Sequence, residues 1–118
     1  MGVKITNNAA GTLAAGISNS ATTLTVTSGQ GALFPTLTGV DYCFLTLIDT
    51  SNNLEIVKCT ARSTDSFTIV RAQDNTTARA FAISDRLEMR PTAALFNEFA
   101  NPLSEKGADI ASASPLVI

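Results

Sequence analysis

Few side chains in this 118-residue chain could do chemistry, and their spacing argues against most reactions. There is no histidine, which excludes Ser-His-Asp and Cys-His nucleophile pairs, His-based zinc hydrolysis and imidazole acid–base work. Asp85 and Glu88 are the nearest carboxylates that could act as a glycosidase pair. Three residues apart on a strand, however, they point to opposite faces, so both read as solvated surface charges. Cys43 and Cys59 are too few for a disulfide framework or a four-thiolate zinc site. Gly29-Gln30-Gly31 has the opening of a phosphate-cradling loop but lacks the third glycine and the following helix. Met1 to Thr6 fits the loose N-myristoylation pattern and Asn75-Thr76-Thr77 the N-glycosylation acceptor. Both patterns are short enough to arise by chance, and the second is read as a local turn. No catalytic residue, metal ligand or cofactor is expected.

The elements that would position these residues centre on Tyr42 to Arg71. Tyr42–Ile48 and Leu54–Ala61 are alternating apolar arms separated by the five-residue break Asp49–Asn53, a common hairpin length. A third arm, Phe67–Arg71, follows the turn Ser63–Ser66, giving a three-stranded antiparallel meander. That loop sets Ile48 against Leu54, and counting outward sets Cys43 directly opposite Cys59 as free, half-buried thiols. Phe44, Leu45, Leu47, Ile56, Val57, Ile69 and Leu87 are the expected core. Phe44 and Leu45 are consecutive, so both are buried only if the meander is covered on two faces, by a second hairpin on one and by a helix or a neighbour on the other.

The second hairpin is read from Gly11–Ile17 and Thr22–Thr27, the latter with Leu24 and Val26 inward and threonines outward. Leu33 and Phe34, in the loop after it, are expected to plug the open end of the sheet. Residues 72–85 read as a structured loop and Arg86–Arg90 as a closing strand. Glu55 with Lys58, and Arg86 with Glu88, read as surface or intersubunit ion pairs of little energetic weight. Pro91 suits the first position of a helix through Ala100, which Pro102 stops. Its stripe Leu95, Phe96, Phe99 and Leu103 must pack on the barrel or on another subunit, since so short a helix cannot stand alone. The expected fold is therefore mainly β: a small antiparallel barrel or sandwich over 1–90, a short α-helix over 91–103, and an extended tail or connector over 104–118.

Charged residues are 15% of the chain against a usual ~25%, while hydrophobic ones are 45%. Such a composition suits either burial against copies or partners, or a β-domain covered by its Thr and Ser hydroxyls. The net charge of −2, with scattered basic residues, argues against nucleic-acid binding. No apolar run approaches the ~20 residues that span a bilayer, and no signal peptide is recognised, so no membrane role and a cytoplasmic site of assembly are expected.

Asn53–Ala61 followed by Phe67–Ala78 resembles a module frequent in structural proteins of tailed bacteriophages. There a strand of the type E-x-V-x-V-T leads to T-V-x-R-G-Q-x-G-T-T-A and then to G-D-x-V-x-x-R. In this chain Ala72 and Asn75 stand for the two glycines, and Ser84 for the glycine before Asp85. The resemblance continues through Pro91–Phe96, and Ala108–Ala113 looks like the lead-in to a further β-rich domain. It implies a non-enzymatic virion protein: the N-terminal attachment domain of a tail fibre or similar appendage, homotrimeric and docked to the tail or neck. Leu95, Phe96, Phe99 and Leu103 are the expected intersubunit seam. Val3, Lys4, Ile5 and Thr6, which lack a convincing core pattern, are the expected docking arm, acting as an added strand. A head decoration or cement protein is the alternative. A carbohydrate-binding module is a third, disfavoured by the absence of Trp and a single Tyr.

Overall fold

The computed structural model describes residues 3–90 and Thr92. The helix expected over 91–103 and the tail over 104–118 lie outside the described residues. Among the described residues six antiparallel strands form one sheet: β1 (Ala10–Thr12), β2 (Thr23–Thr25), β3 (Cys43–Ile48), β4 (Leu54–Ser63), β5 (Ser66–Gln73) and β6 (Arg86–Glu88), in the order β1-β6-β3-β4-β5-β2. The sheet curls into a half-barrel. Its outermost strands meet through the Leu13–Val26 bridge, flanked by Ala14 N–H donating to Thr25 O and Thr27 N–H to Thr12 O.

The meander β3-β4-β5 is as the alternation predicts, with Ile48 opposite Leu54 and Cys43 opposite Cys59. Its first turn is built by Asp49, whose carboxylate accepts from Ser51 N, Asn53 N and Asn53 Nδ2. The second turn is the expected Ser63–Ser66: Ser63 pairs with Ser66 across Thr64 and Asp65, with Thr64 at φ 56°. The expected second hairpin is corrected. Beyond the one Leu13–Val26 bridge, β1 pairs with β6 and β2 with β5. Each is three residues long, too short to satisfy its backbone alone, and each is taken up by an edge of the meander system instead.

Leu45, Leu47, Val57, Cys59, Phe67 and Leu87 are fully buried in the main core, joined by Leu13, Leu24, Val26, Phe34 and Phe81. The seven expected core residues are all buried. Phe44 belongs to a second, smaller cluster with Tyr42 and Ile56 on the outer face of the sheet, covered by Val3 of the N-terminal arm. Both faces of β3 are thus occupied, and the arm contributes to the outer cover. At one end of the barrel a 3-10 turn, Gln30–Leu33, lowers Phe34 onto Phe67, edge to face with ring centroids 5.0 Å apart. Leu33 does not share in the plug: it stands 49% exposed, because the turn carries only one of two consecutive side chains inward.

The cysteines are free and fully rather than half buried. Asp49 N–H donates to Asn53 O, and alternation along the ladder makes Cys43–Cys59 a hydrogen-bonded site. At such sites opposed Cβ atoms ordinarily lie about 5.5 Å apart, wider than the ~3.8 Å usual in a disulfide. Cys59 Sγ donates to Ala61 O at 3.2 Å, and the Cys43 thiol is pushed up by its hydrogen bond with Cys59 and by burial. Neither thiol is expected to react with a water-soluble maleimide at pH 8 in the folded protein, whereas both should react in denaturant. Replacing both by Ser should cost about 1–3 kcal/mol in urea titrations. Rapid native labelling would show that this part of the core opens readily.

Candidate functional site

At the barrel end opposite Phe34, the inward side of β4 and β5 carries two charged residues. Glu55 lies on the same face as Val57 and Cys59 and is fully buried. Arg71 lies on the same face as Phe67 and Ile69, with its side chain 9% exposed. The guanidinium meets the carboxylate with two parallel bonds, Nε to Oε2 at 2.8 Å and Nη2 to Oε1 at 2.7 Å. Glu55 also accepts from Ala72 N and Arg79 N, each at 2.9 Å. Arg71 donates its remaining hydrogens to the carbonyls of Ser18, Ala21 and Arg79. All five guanidinium donors and both carboxylate oxygens are therefore used. Burial alone would raise the Glu55 pKa, but the bonds from Arg71, Ala72 and Arg79 outweigh it and hold the carboxyl below the ordinary glutamate value.

This arrangement corrects the expectation of a surface pair between Glu55 and Lys58. Residues three apart on a strand face opposite ways, and Lys58 instead lies outside, with Nζ 4.4 Å from the centre of the Tyr42 ring. Arg86 and Glu88 do pair on the surface at 3.0 Å, and Arg90 joins the same carboxylate. Asp85 is buried and accepts Ala82 N–H at 2.7 Å, so it is not the solvated charge expected. With Asp85 holding its own turn and Glu88 held by two arginines, the two carboxylates occupy separate structural roles. A cleft of about 350 Å³ lies between the β3–β4 loop and the entry to β6, lined in part by Asp49, Asn52, Ser84 and Arg86. Among the described residues no cluster of His, Cys, Asp and Glu is arranged to hold a metal ion.

Thr76 adds a second polar tie on the same side. Its hydroxyl donates to Gln73 O at 2.6 Å and receives Ile56 N–H at 3.0 Å, fixing the start of the 72–85 loop to β4. The loop's backbone is unusual. Seven non-glycine residues have positive φ among those described, and four of them lie in this loop: Ala72 (55°), Asp74 (54°), Asn75 (64°) and Ser84 (74°).

The arm residues lie along the molecule. Val3 forms a parallel bridge with Tyr42 and Lys4 N–H donates to Tyr42 O at 2.8 Å. Thr6 Oγ1 donates to Leu33 O at 3.0 Å, while Ile5 between them is 55% exposed. Leu95, Phe96, Phe99 and Leu103 fall outside the described residues. The Glu55–Arg71 network was missed by sequence reasoning. The available signal was that both residues occupy inward positions of otherwise apolar strands, where an unpaired charge would be prohibitive. Comparison with protein-family models and with curated proteins finds no match for the chain.

Proposed function

We propose that this chain is a non-enzymatic structural protein of a bacteriophage virion, the attachment domain of a tail fibre or similar appendage. It docks to the tail or neck as a homotrimer assembled in the host bacterial cytoplasm. The observation that carries the proposal is the backbone at Ala72, Asn75 and Ser84. These are the three positions where the resembling phage module has glycine, and here all three are left-handed, the conformation for which glycine is the default residue. The module's other distinctive letters fit the same logic: its Glu, Arg and Thr fall on Glu55, Arg71 and Thr76, which tie the loop to the sheet. The motif thus spells a scaffold rather than a reaction centre, which favours a protein that binds proteins.

Antibody raised against the purified domain should label one vertex of the virion, at the tail, under the electron microscope. Label distributed over the shell would overturn the appendage assignment in favour of a decoration protein, and a monomeric mass in solution would remove the trimer.

The backbone argument has its own test. Ala72→Gly and Ser84→Gly should stabilise the domain by up to about 1 kcal/mol, as relief of left-handed strain of ~1–2 kcal/mol outweighs glycine's entropic cost. Asn75→Gly should be nearly neutral, because asparagine tolerates this region. Urea midpoints measure all three, and a clear loss of stability in the first two would contradict the match between loop and module.

A further inference from the structure

The cleft between the β3–β4 loop and the entry to β6 carries hydrogen-bonding groups that the fold itself leaves unused. Asp85, on its wall, is 6% exposed. Its Oδ2 accepts Ala82 N–H at 2.7 Å, whereas Oδ1 meets no donor among the described residues. No buried side-chain nitrogen or oxygen among them lacks a partner, so Oδ1 is not sealed in the core: it reaches the surface, and the surface that Asp85 lines is this cleft. Thr50, Asn52 and Ser84 line it too, and their side chains make no hydrogen bond among the described residues. Arg86 turns Nη1 to Glu88 at 3.0 Å, and its other nitrogens have no protein partner among the described residues. Ser84 shows most clearly that these groups do not serve the fold. Its φ of 74° is left-handed, where a side chain is disfavoured and glycine is the default, and its hydroxyl makes no bond that would offset the strain. Asn52, on the β3–β4 loop at φ 64°, takes the same conformation. Residues held in such conformations gather at ligand sites.

We propose that this cleft binds a neutral sugar, one pyranose ring. Its charges select against simple ions: a bare cation would face Arg86, and a bare anion would face Asp49 and Asp85. The unused groups are of both kinds. Asp85 Oδ1 only accepts, the free Arg86 nitrogens only donate, and the Asn52 amide and the Thr50 and Ser84 hydroxyls do both. A ligand that satisfies them all must itself present donors and acceptors side by side without net charge, which is what the hydroxyls of a sugar ring do. The volume of about 350 Å³ lies at the small end of the roughly 300–1,000 Å³ of small-molecule pockets, so one ring fits rather than several. Ile48 is the apolar part of the wall, and no aromatic side chain lines it among the described residues. Binding therefore rests on hydrogen bonds without a stacking platform and falls in the millimolar range. The inference stands apart from the virion reading, since it uses the cleft alone.

The test follows backbone amide shifts of the full 118-residue chain by nuclear magnetic resonance. The probes are glucose, galactose and mannose, their methyl α-glycosides, and sodium acetate and ethylammonium chloride as charged controls. At least one sugar should give saturating shifts at residues 49–52 and 84–86, and neither ion should. Binding of free sugars alone identifies a soluble monosaccharide as the ligand, whereas binding of the glycosides identifies a unit of a glycan chain. No saturating shift with any sugar, or equal saturation by either ion, overturns the proposal. Two variants locate the site. Asp85→Asn keeps an oxygen for Ala82 N–H but turns the open acceptor into a donor, and the Kd should rise at least tenfold. Ser84→Gly relieves the backbone while removing a hydroxyl, so its urea midpoint should rise while its sugar affinity falls severalfold, opposite movements that a purely structural residue would not produce. Wild-type affinity in both variants overturns the site.

Discussion

Glu55→Ala is expected to destabilise the domain by about 3–5 kcal/mol, the usual cost of stranding one member of a buried ion pair. A midpoint lowered by ~20 °C in thermal unfolding would correspond to that loss for a domain of this size. The cost has two sources. Arg71 loses its counter-charge at 9% exposure, and Ala72 N–H and Arg79 N–H lose their acceptor. Replacing both partners by apolar residues of similar volume often restores stability at buried pairs, but here it should not. Arg71 also serves the carbonyls of Ser18, Ala21 and Arg79, so Glu55→Leu/Arg71→Met would orphan backbone groups in two loops. A double variant as stable as wild type would refute the view that the pair holds the loops to the barrel.

The same network sets an acid dependence whose sign follows from Glu55. Its carboxyl is held below the ordinary glutamate value of 4.5, so the folded state binds the proton less readily than the unfolded state. The stabilisation is complete above about pH 4.5 and is lost as pH falls through the lower folded value. Urea midpoints from pH 6 down to pH 3 should fall for the wild type. Glu55→Gln, already weakened at neutral pH, should fall less steeply.

Gly31→Ala is expected to be the most damaging single-methyl change, costing about 3 kcal/mol or more. A Cβ at Gly31 would run into the Thr64 carbonyl oxygen and lie 2.8 Å from both the Thr64 carbonyl carbon and Asp65 Oδ1. Two of those atoms are backbone and cannot rotate away. The approach is close because Asp65 accepts Gly29 N–H at 3.1 Å and Gly31 N–H at 2.9 Å, drawing the 3-10 turn against the β4–β5 turn. Relief requires lifting the turn and with it Phe34 from Phe67. Gly29→Ala is the control: its φ is +88° but nothing lies within 4 Å of its added Cβ, so only the left-handed penalty of ~1–2 kcal/mol applies. Equal midpoints for the two variants would show that the turn yields easily and that its contact with Thr64 has no weight.

Much of this molecule was legible in the residues themselves. Alternation and a five-residue loop determined the β3–β4 register down to the Cys43–Cys59 pair, because a hairpin's pairing is local and a slip by one residue would invert both faces. Leu24, Val26 and Leu87 declared their inward side in the same way, and the lack of histidine removed whole classes of chemistry. Tertiary structure decided the rest. Which edges take up the short strands β1 and β2 depends on how the sheet curls, and no short window of sequence contains that information. Alternation placed Glu55 and Arg71 on faces of their strands, but β4 and β5 are offset by irregularities between Ile56 and Lys58 and between Cys59 and Ala61. Only the folded barrel brings the two charges together at its end, where loops from residues 18–21 and 72–79 supply the remaining partners. A buried ion pair needs every donor and acceptor met at once, and those partners come from segments up to 53 residues apart, which converge only when the sheet has curled.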